Sequence, residues 1–591
     1  MHEYTPPLRD IAFVMEHVAG LDEIVATETF GHVDVATIHA VLDEVGRFMA
    51  DVIAPTNRDG DTIGSRWQAG GSVVTPESFK PAYSKWVGSG FGAMPFEPTY
   101  GGGGFPWITA IAVQEMLTSA NMALSLCPLL TQGAIEALTH HGSEAQKAAY
   151  VPRMLTGEWT GTMNLTEPQA GSDLGAVTTR AEPAADHGEG AWRITGQKIF
   201  ITWGEHDLTE NTLHLVLART PGSPPGTKGI SMFVVPKFFV NGDGSLGDRN
   251  AVQCVSIEHK LGIHGSPTCV MAYEGAIGWL VGAERDGMRN MFTMMNNARL
   301  SVGLEGLAIS ERAFQQALAY ARERRQGRAP GAPAGETSPI VDHPDVRRML
   351  LTQRAWIDAM RCLVYGNAAA VDRAAAARSA GDADDARRWQ ERVDLLIPLT
   401  KGLCTEVCNE LTSLALQVHG GMGYVEETGA AQHYRDARIT AIYEGTNGIQ
   451  AADLVSRKLA MRNGGVVTDL LDELGGHAAG LATVDELTRL ARRLEEGLNA
   501  ARQATAHLLS VSASDQRSLL AASSPYLRLL GTVVCAGLLA KGALAASAHD
   551  DEFHRAKVNS ARFFGEQILP VACGLVPAIE AGAGDLDAIL Q

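Results

Sequence analysis

The pattern of apolar and polar positions divides the chain into four stretches. Up to about residue 158, apolar residues recur at helical spacing, most clearly over Ile38–Val52, Thr109–Ser119 and Leu129–Leu138. Gly101–Gly104, followed by Pro106, interrupts that pattern and reads as a loop. From Gly161 to about Val281 the period changes to two. Ala191–Gly196 and Lys198–Thr202 read as neighbouring strands. Leu213–Arg219, Ile230–Val235, Cys254–Ile257 and Thr268–Tyr273 continue the series, with Gly, Pro and Asn between them, as in a compact β-barrel or sandwich.

Helical spacing returns at about Gly287, where Met288, Met291, Met295, Val302, Leu307, Phe314 and Leu318 form one stripe. Further helices are predicted from about Asp345 to Ala377, from about Asp394 to Val418 with a kink at Pro398, and from Thr446 to about Met461. Four helices with short or glycine-rich joints predict an antiparallel bundle. Gly464 and Gly465 mark a break, and the chain to Gln591 is again helical and alanine-rich. The expected class is therefore multidomain α+β: an N-terminal helical domain (1–158), a central β domain (159–281), a four-helix bundle (282–463) and an additional C-terminal helical domain (464–591). No internal repeat is present.

Composition narrows the function classes. At 591 residues the chain exceeds the size at which one core stops growing. Hydrophobic residues make up 45% and charged residues 20%, as in a soluble globular protein. With 49 basic and 67 acidic residues the formal charge is −18. That argues against a nucleic-acid coat or an anionic membrane as partner, and leaves room for a phosphorylated ligand held by local cations. Met1–Asp10 lack the basic segment and apolar run of a signal peptide. The uncharged stretch Leu529–Ala540, between Arg528 and Lys541, falls short of the roughly 20 residues a membrane span needs. The eight cysteines are scattered, which speaks for a reducing compartment and a cytoplasmic protein. Cys404 and Cys408 lie one helical turn apart with no second ligand pair, so packing rather than a metal is expected there.

Two segments carry candidate chemistry. Tyr443-Glu444-Gly445-Thr446-Asn447-Gly448-Ile449-Gln450 puts a carboxylate on a glycine-flexed turn directly before an apolar-periodic helix. Thr166-Glu167-Pro168-Gln169-Ala170-Gly171-Ser172-Asp173 lies far upstream. Alone, the first is a solvated turn beside an N-cap threonine and the second a capping turn. No Rossmann fingerprint is present, since Gly101–Gly104 opens no phosphate-binding helix in a βαβ unit. Together, in this order and with the stretches around them, the two segments resemble the active site of the acyl-CoA dehydrogenase family over roughly residues 35 to 460. The opening Tyr4–Asp10 and the chain length resemble the large bacterial subgroup of that family, with the fourth region as an extension.

The resemblance implies FAD-dependent α,β-dehydrogenation of an acyl-CoA thioester to a trans-2-enoyl-CoA. Glu444 would take the α-proton while flavin N5 takes the β-hydride. Tyr443, Glu444 and Gly445 would meet the substrate, the Glu444 N–H donating to the thioester oxygen. Ser172, Asn296 and Arg299 would meet the CoA moiety, with Asn296 in place of the commoner acid. Met163, Leu165, Thr166, Gly171, Ser172, Phe200 and Thr202 would line the flavin, Phe200 standing where many members have tryptophan. Arg324, Gln417, Gly420, Gly421 and Thr446 would serve an FAD lodged mainly in the neighbouring subunit, which makes a homodimer part of catalysis. Gln169 and Gly448 replace a glycine and a polar residue usual in the family, and Gly327 replaces a phenylalanine. Burial against an acyl chain is expected to raise the Glu444 pKa more than a nearby helix N-terminus lowers it. Electrons would pass on to an electron-transfer flavoprotein. The alternatives are an acyl-CoA oxidase using dioxygen and a non-catalytic acyl-CoA or flavin-binding scaffold. The subgroup nominates short sulfur-containing or medium-to-long straight acyl chains.

Overall fold

The computed structural model describes residues 4–586; Met1–Glu3 and Asp587–Gln591, the extreme ends of the first and last expected domains, lie outside the described residues. In chain order the longer helices and main strands are α1 (Val35–Phe48), α2 (Trp107–Ala120), α3 (Met122–His141), α4 (Glu144–Thr156), β1 (Trp159–Asn164), β2 (Arg180–Pro183), β3 (Ala191–Thr202), β4 (Asn211–Arg219), β5 (Ile230–Pro236), β6 (Val252–Ile257), β7 (Thr268–Leu280), α5 (Gly287–Glu323), α6 (Pro344–Ser379), α7 (Ala383–His419), α8 (Asn447–Asp453), α9 (Gly465–Leu481), α10 (Thr488–Val511), α11 (Ser523–Ala546) and α12 (Glu552–Phe563). They form two compact units. Arg47–Phe105 with Ala120–Ala298 make the β-containing unit, and residues 4–46, Pro106–Ser119 and 299–586 make the helical unit.

The β-containing unit is built on a seven-stranded sheet. β7 pairs antiparallel with β6, β3 and β5. β4 pairs antiparallel with β5 and parallel with β1 and β2, and β2 pairs antiparallel with β3. β6 alternates buried and exposed residues at its start, as a half-covered strand does. β4 and β5 are buried almost throughout, so their sequences are mostly apolar with buried polar residues such as His214 and Ser231 rather than in/out alternations. Ile194, Val216, Phe233, Met271 and Tyr273 share the core they enclose. The sequence predicts two strands, Ala191–Gly196 and Lys198–Thr202, whereas β3 runs on through Gly196 and Gln197 as one strand. That glycine marks a close approach, because a Cβ there would stand 2.4 Å from Thr179 Oγ1.

In the helical unit α5, α6 and α7 run 37, 36 and 37 residues. α7 begins well before the predicted start near Asp394. Its first turns are mostly exposed and carry no apolar period; they are held by the Asp382 N-cap, 3.0 Å from Asp385 N, and by the Arg387–Asp384 and Arg388–Asp385 pairs. Pro398 sits inside this helix without ending it. The fourth predicted helix is shorter than expected. α8 gives way to a π-turn at Leu454–Lys458, and the chain reverses through Arg462 and Asn463, both at positive φ.

Charges buried between the helices join them. Arg361 on α6 donates to Glu115 on α2 at 2.6 Å and to Glu311 on α5 at 2.9 Å, and Tyr365 donates to the other Glu115 oxygen at 2.7 Å. None of these charges is exposed by more than 3%, so each depends on its partners for the solvation that water would supply. Lys557 on α12 donates to Asp358 on α6 at 2.8 Å and to Asp10, tying the C-terminal helices to α6 and to the N-terminal segment.

By length and composition three segments among the described residues could cross a membrane: α3, α11 and Glu552–Glu580. α11 runs 24 residues, beyond the uncharged stretch on which the sequence expectation rests, so length does not separate it from a span. Its apolar window is 78% buried inside the protein and that of α3 89%, against 33% for the third segment. Packing thus accounts for the hydrophobicity of the first two.

Replacing Arg361 by leucine strands two carboxylates in the helical unit. The expected loss is about 3–5 kcal/mol, read as a lowered thermal midpoint, and a variant that melts with the wild type would show the network to be neutral.

Candidate active site

Glu444 lies on the turn between Ala441 and α8, inside the helical unit. Its φ is 54° and that of Gly445 is 81°, so two consecutive residues are left-handed. For a residue with a Cβ this conformation costs roughly 1–2 kcal/mol and persists only where neighbours over-determine it. Three of them do so here. Thr446 caps α8, its hydroxyl accepting from Ile449 N at 3.2 Å. Gln450, on the first turns of α8, donates back to the carbonyls of Glu444 and Gly445 at 3.3 and 3.2 Å. Gly445 leaves space for that amide, since a Cβ would stand 2.8 Å from Gln450 Nε2.

The chemistry around this turn comes from a close crossing of α5 and α7. A Cβ on Gly303 would lie 2.6 Å from Thr400 Cγ2, and one on Gly306 would lie 2.6 Å from the Cys404 carbonyl oxygen. The contact puts Glu305 of α5 and Lys401 of α7 into one buried region, and neither is exposed to solvent. Lys401 Nζ donates to Asn447 Oδ1 at 3.0 Å, as does Thr405 Oγ1, while Asn447 Nδ2 donates to Glu406 at 2.9 Å. Tyr443 donates its hydroxyl proton to Glu305 Oε2. Arg299, buried on α5, completes the set.

Electrostatics follow from burial. Desolvation raises the Glu444 pKa to about 7, against the opposing pull of Arg299 and Lys401. Glu305 is raised further, to about 8, by burial and by the Glu444 charge, with the Tyr443 hydrogen bond and Lys401 acting the other way. Burial lowers Lys401 to about 8. The turn therefore presents a carboxyl that exchanges its proton near neutrality, beside a second carboxyl that is mostly protonated there.

The upstream segment lies in the β-containing unit, between β1 and β2. Glu167 is its stake. The carboxylate accepts from Lys198 Nζ at 2.8 Å, from Thr178 N and Thr179 N at 2.7 and 3.0 Å, and from both threonine hydroxyls. Burial pushes its pKa up, but Lys198 and these donors more than offset this and hold it at about 2. Gln169, where the family usually has glycine, spends its amide on Glu167, Ala176 and Thr178, which stiffens the loop. Lys198 also donates to the Leu165 carbonyl, and Ile199 N to that of Thr166, so Leu165 and Thr166 lie against β3 near Phe200 and Thr202. Met163 on β1 is buried, and Thr162 of that strand donates to Thr202 O at 2.7 Å.

Phe200 is 58% exposed and has φ 59°, so an aromatic ring is held outside the sheet by a left-handed residue. Gly171 and Ser172 are exposed, and a Cβ on Gly171 would meet nothing within 4 Å. An exposed aromatic face with threonine and serine hydroxyls and an open glycine near it fits the flavin that the sequence resemblance implies. Asn296 is half-buried on α5.

The remaining predicted residues lie on the surface of the helical unit. Gln417 is exposed in the last turn of α7, and Gly420 and Gly421 follow with open space around them. Arg324, just past the end of α5, is exposed and donates to Gln326 at 3.3 Å. The structure thus gathers Arg299, Tyr443, Glu444, Gly445 and Thr446 in one unit, and Met163, Leu165, Thr166, Gly171, Ser172, Phe200 and Thr202 in the other. Sequence reasoning passed over Glu305, Lys401, Asn447 and Glu167. The small residues Gly303 and Gly306 on an otherwise apolar stripe were the one available signal for the first two.

Four family models match the chain: Acyl-CoA dehydrogenase, N-terminal domain, at residues 36–158; its middle domain at 162–276; its C-terminal domain at 285–459; and Acetyl-CoA dehydrogenase C-terminal like at 470–589. A 3-methylmercaptopropionyl-CoA dehydrogenase of Ruegeria pomeroyi is 45% identical, over 98% of each chain. A broad-specificity linear acyl-CoA dehydrogenase, FadE5, of Mycobacterium tuberculosis is 35% identical over 99% of each. Among solved structures, Caenorhabditis elegans ACDH-11 in complex with C11-CoA superposes with a TM-score of 0.77 at 18% identity, covering 96% of this chain and 92% of that one, a likeness of fold.

The raised affinity of Glu444 for its proton has a consequence for stability. Above pH 7 the folded protein holds a partly desolvated carboxylate that the unfolded chain leaves in water; below pH 4.5 the group is neutral in both. Glu444→Gln is therefore expected to melt higher than the wild type at pH 8.5, by on the order of 1–2 kcal/mol after solvent screening. The gap should close on approach to pH 4.5. Melting curves that stay parallel across this range would refute the raised affinity.

Proposed function

The chain belongs to the acyl-CoA dehydrogenase family, and from that premise we propose that it oxidises an acyl-CoA thioester to the trans-2-enoyl-CoA with Glu444 as the base. The observation that carries this reading is the left-handed Glu444, whose carboxyl has an affinity near neutrality beside Arg299 and Lys401. A base with its pKa near the working pH is ionised often enough to act and still strong enough to accept a proton.

FAD, when bound, supplies the acceptor for the hydride leaving the β-carbon. The residues of this chain do the rest. Thr166, Gly171, Ser172, Phe200 and Thr202 hold the flavin, and the Glu167 anchor keeps their loop in shape. Arg299, Asn296 and Ser172 bind and orient the CoA moiety. The Glu444 N–H donates to the thioester oxygen as charge develops on it, and the carboxylate takes the α-proton. A bound acyl chain excludes water from the turn, which strengthens both effects.

Arg324, Gln417, Gly420, Gly421 and Thr446 serve an FAD shared with a second copy in a homodimer. The exposed Met422, Tyr424 and Val425 beside those glycines support this, with Tyr424 93% exposed. Large apolar side chains so placed suit an interface. The names of the two relatives point to a short sulfur-containing or linear acyl group as substrate. The same reading includes an electron-transfer flavoprotein as acceptor, a cytoplasmic location, and a division of the chain at residues 158, 281 and 463.

Glu444→Gln is expected to retain flavin and lose roughly 10²- to 10⁴-fold in kcat. Anaerobic addition of an acyl-CoA chain-length series should bleach the flavin of the wild type and not of the variant. Because the base must be ionised, kcat/KM should fall as the pH drops below about 7. Full turnover by the variant would discard the base, peroxide release under air without an acceptor would favour an oxidase, and a tetramer by light scattering would count against the dimer.

A further inference from the structure

Glu305 takes no part in the reaction as derived above, yet it is the most completely enclosed acid beside the candidate base. It lies between Gly303 and Gly306, two points at which α5 comes too close to α7 to admit a Cβ. Its side chain is shielded from solvent. One oxygen, Oε2, receives the hydroxyl proton of Tyr443, the residue before Glu444, and the other, Oε1, is buried with no hydrogen-bond partner. A buried acid half of whose acceptor capacity is unused is an expensive way to hold a tyrosine. An amide or hydroxyl would do it without risk of a buried charge.

Position supplies the reason. The backbone at Glu444 is strained, and its known supports act from the C-terminal side: Thr446 and Gln450 on α8. On the N-terminal side the Tyr443 hydroxyl is tethered to Glu305, reaching from α5 across to the turn. We propose that Glu305 is a positioning residue for the base: from α5 it holds Tyr443 and so fixes the N-terminal half of the left-handed turn that presents the Glu444 carboxyl. This rests on the reading of Glu444 as the base.

The groups that face Glu305 are Tyr443 and Glu444 from the turn and Lys401 and Cys408 from α7. Burial keeps Glu305 protonated at neutral pH, so it grips the tyrosine without adding a second negative charge to the turn. As the pH rises and Glu305 ionises, its charge opposes that of Glu444. The two carboxyls therefore titrate as a coupled pair, and because Glu305 keeps its proton while Glu444 loses its own, replacing the acid by an amide that keeps the hydrogen bond is expected to leave the acid limb set by Glu444 in place.

The test compares E305Q, E305L, Y443F and the E305L/Y443F double variant as flavin-loaded enzymes, with E444Q measured alongside. E305L and Y443F are each expected to lose roughly 10- to 100-fold in kcat with KM for the acyl-CoA changed much less. The double variant should be no worse than the poorer single, since both delete one contact. E305Q should recover most of kcat, with the acid limb of its kcat/KM profile close to that of the wild type. If E305L does not fold, Y443F, which removes a single oxygen, and E305Q carry the decision. The proposal is overturned if the single variants keep kcat within about two-fold of the wild type, if the losses multiply in the double variant, or if E305Q is as impaired as E305L. Should E444Q itself turn over normally, the assignment of the base fails instead, whatever the Glu305 variants do.

Discussion

Keeping a carboxyl partly out of water, on a backbone that disfavours it, is the constraint around which the helical unit is arranged. A buried carboxylate without compensation is costly enough to take up a proton instead. Near residue 444 the compensation is deliberately incomplete. Arg299 and Lys401 act on Glu444 through their charge against its burial, and the result is an affinity near neutrality. Elsewhere in the unit the opposite solution prevails. Arg361 is matched by the carboxylates of Glu115 and Glu311 in direct contact, and Tyr365 donates to Glu115 in turn.

The close crossing of α5 and α7 makes that difference possible. Helices normally pack about 8–10 Å apart, and side chains at the contact fill the gap. Here Gly303 and Gly306 let backbone meet side chain and carbonyl directly, so Glu305 and Lys401 flank the contact rather than being pushed outward. The turn before α8 then closes over them. Asn447 joins Lys401, Thr405 and Glu406, while Tyr443 joins Glu305, and the strained residue lies between these two anchors. In the β-containing unit a comparable anchor does a different task. Glu167 is fully satisfied and strongly acidic, and it serves to shape a loop.

Much of this was legible in the chain. The helical, β and helical order followed from the change of apolar period, and the acyl-CoA dehydrogenase likeness followed from two short segments. The errors have physical causes. Gly196 looked like a strand break because a glycine in an alternating run signals either a turn or a close approach, and sequence does not distinguish them. The start of α7 was missed because its first turns are solvated and held by capping and i,i+3 pairs, not by an apolar face. α11 was underestimated because Arg528 and Lys541 interrupt its composition but not its helix; Arg528 pairs with Glu410 at 2.8 Å and Lys541 donates to the Val18 carbonyl at 2.8 Å.

The sequence by itself determined which elements form and which short segments bear the reactive residue types, since period, turn chemistry and motif are local properties. Only the tertiary structure decided which groups surround Glu444. Glu305 and Lys401 lie far from it along the chain and carry no local mark of their role, and their effect on its proton depends on distance and burial. Those quantities exist only once α5, α7 and the turn have packed together.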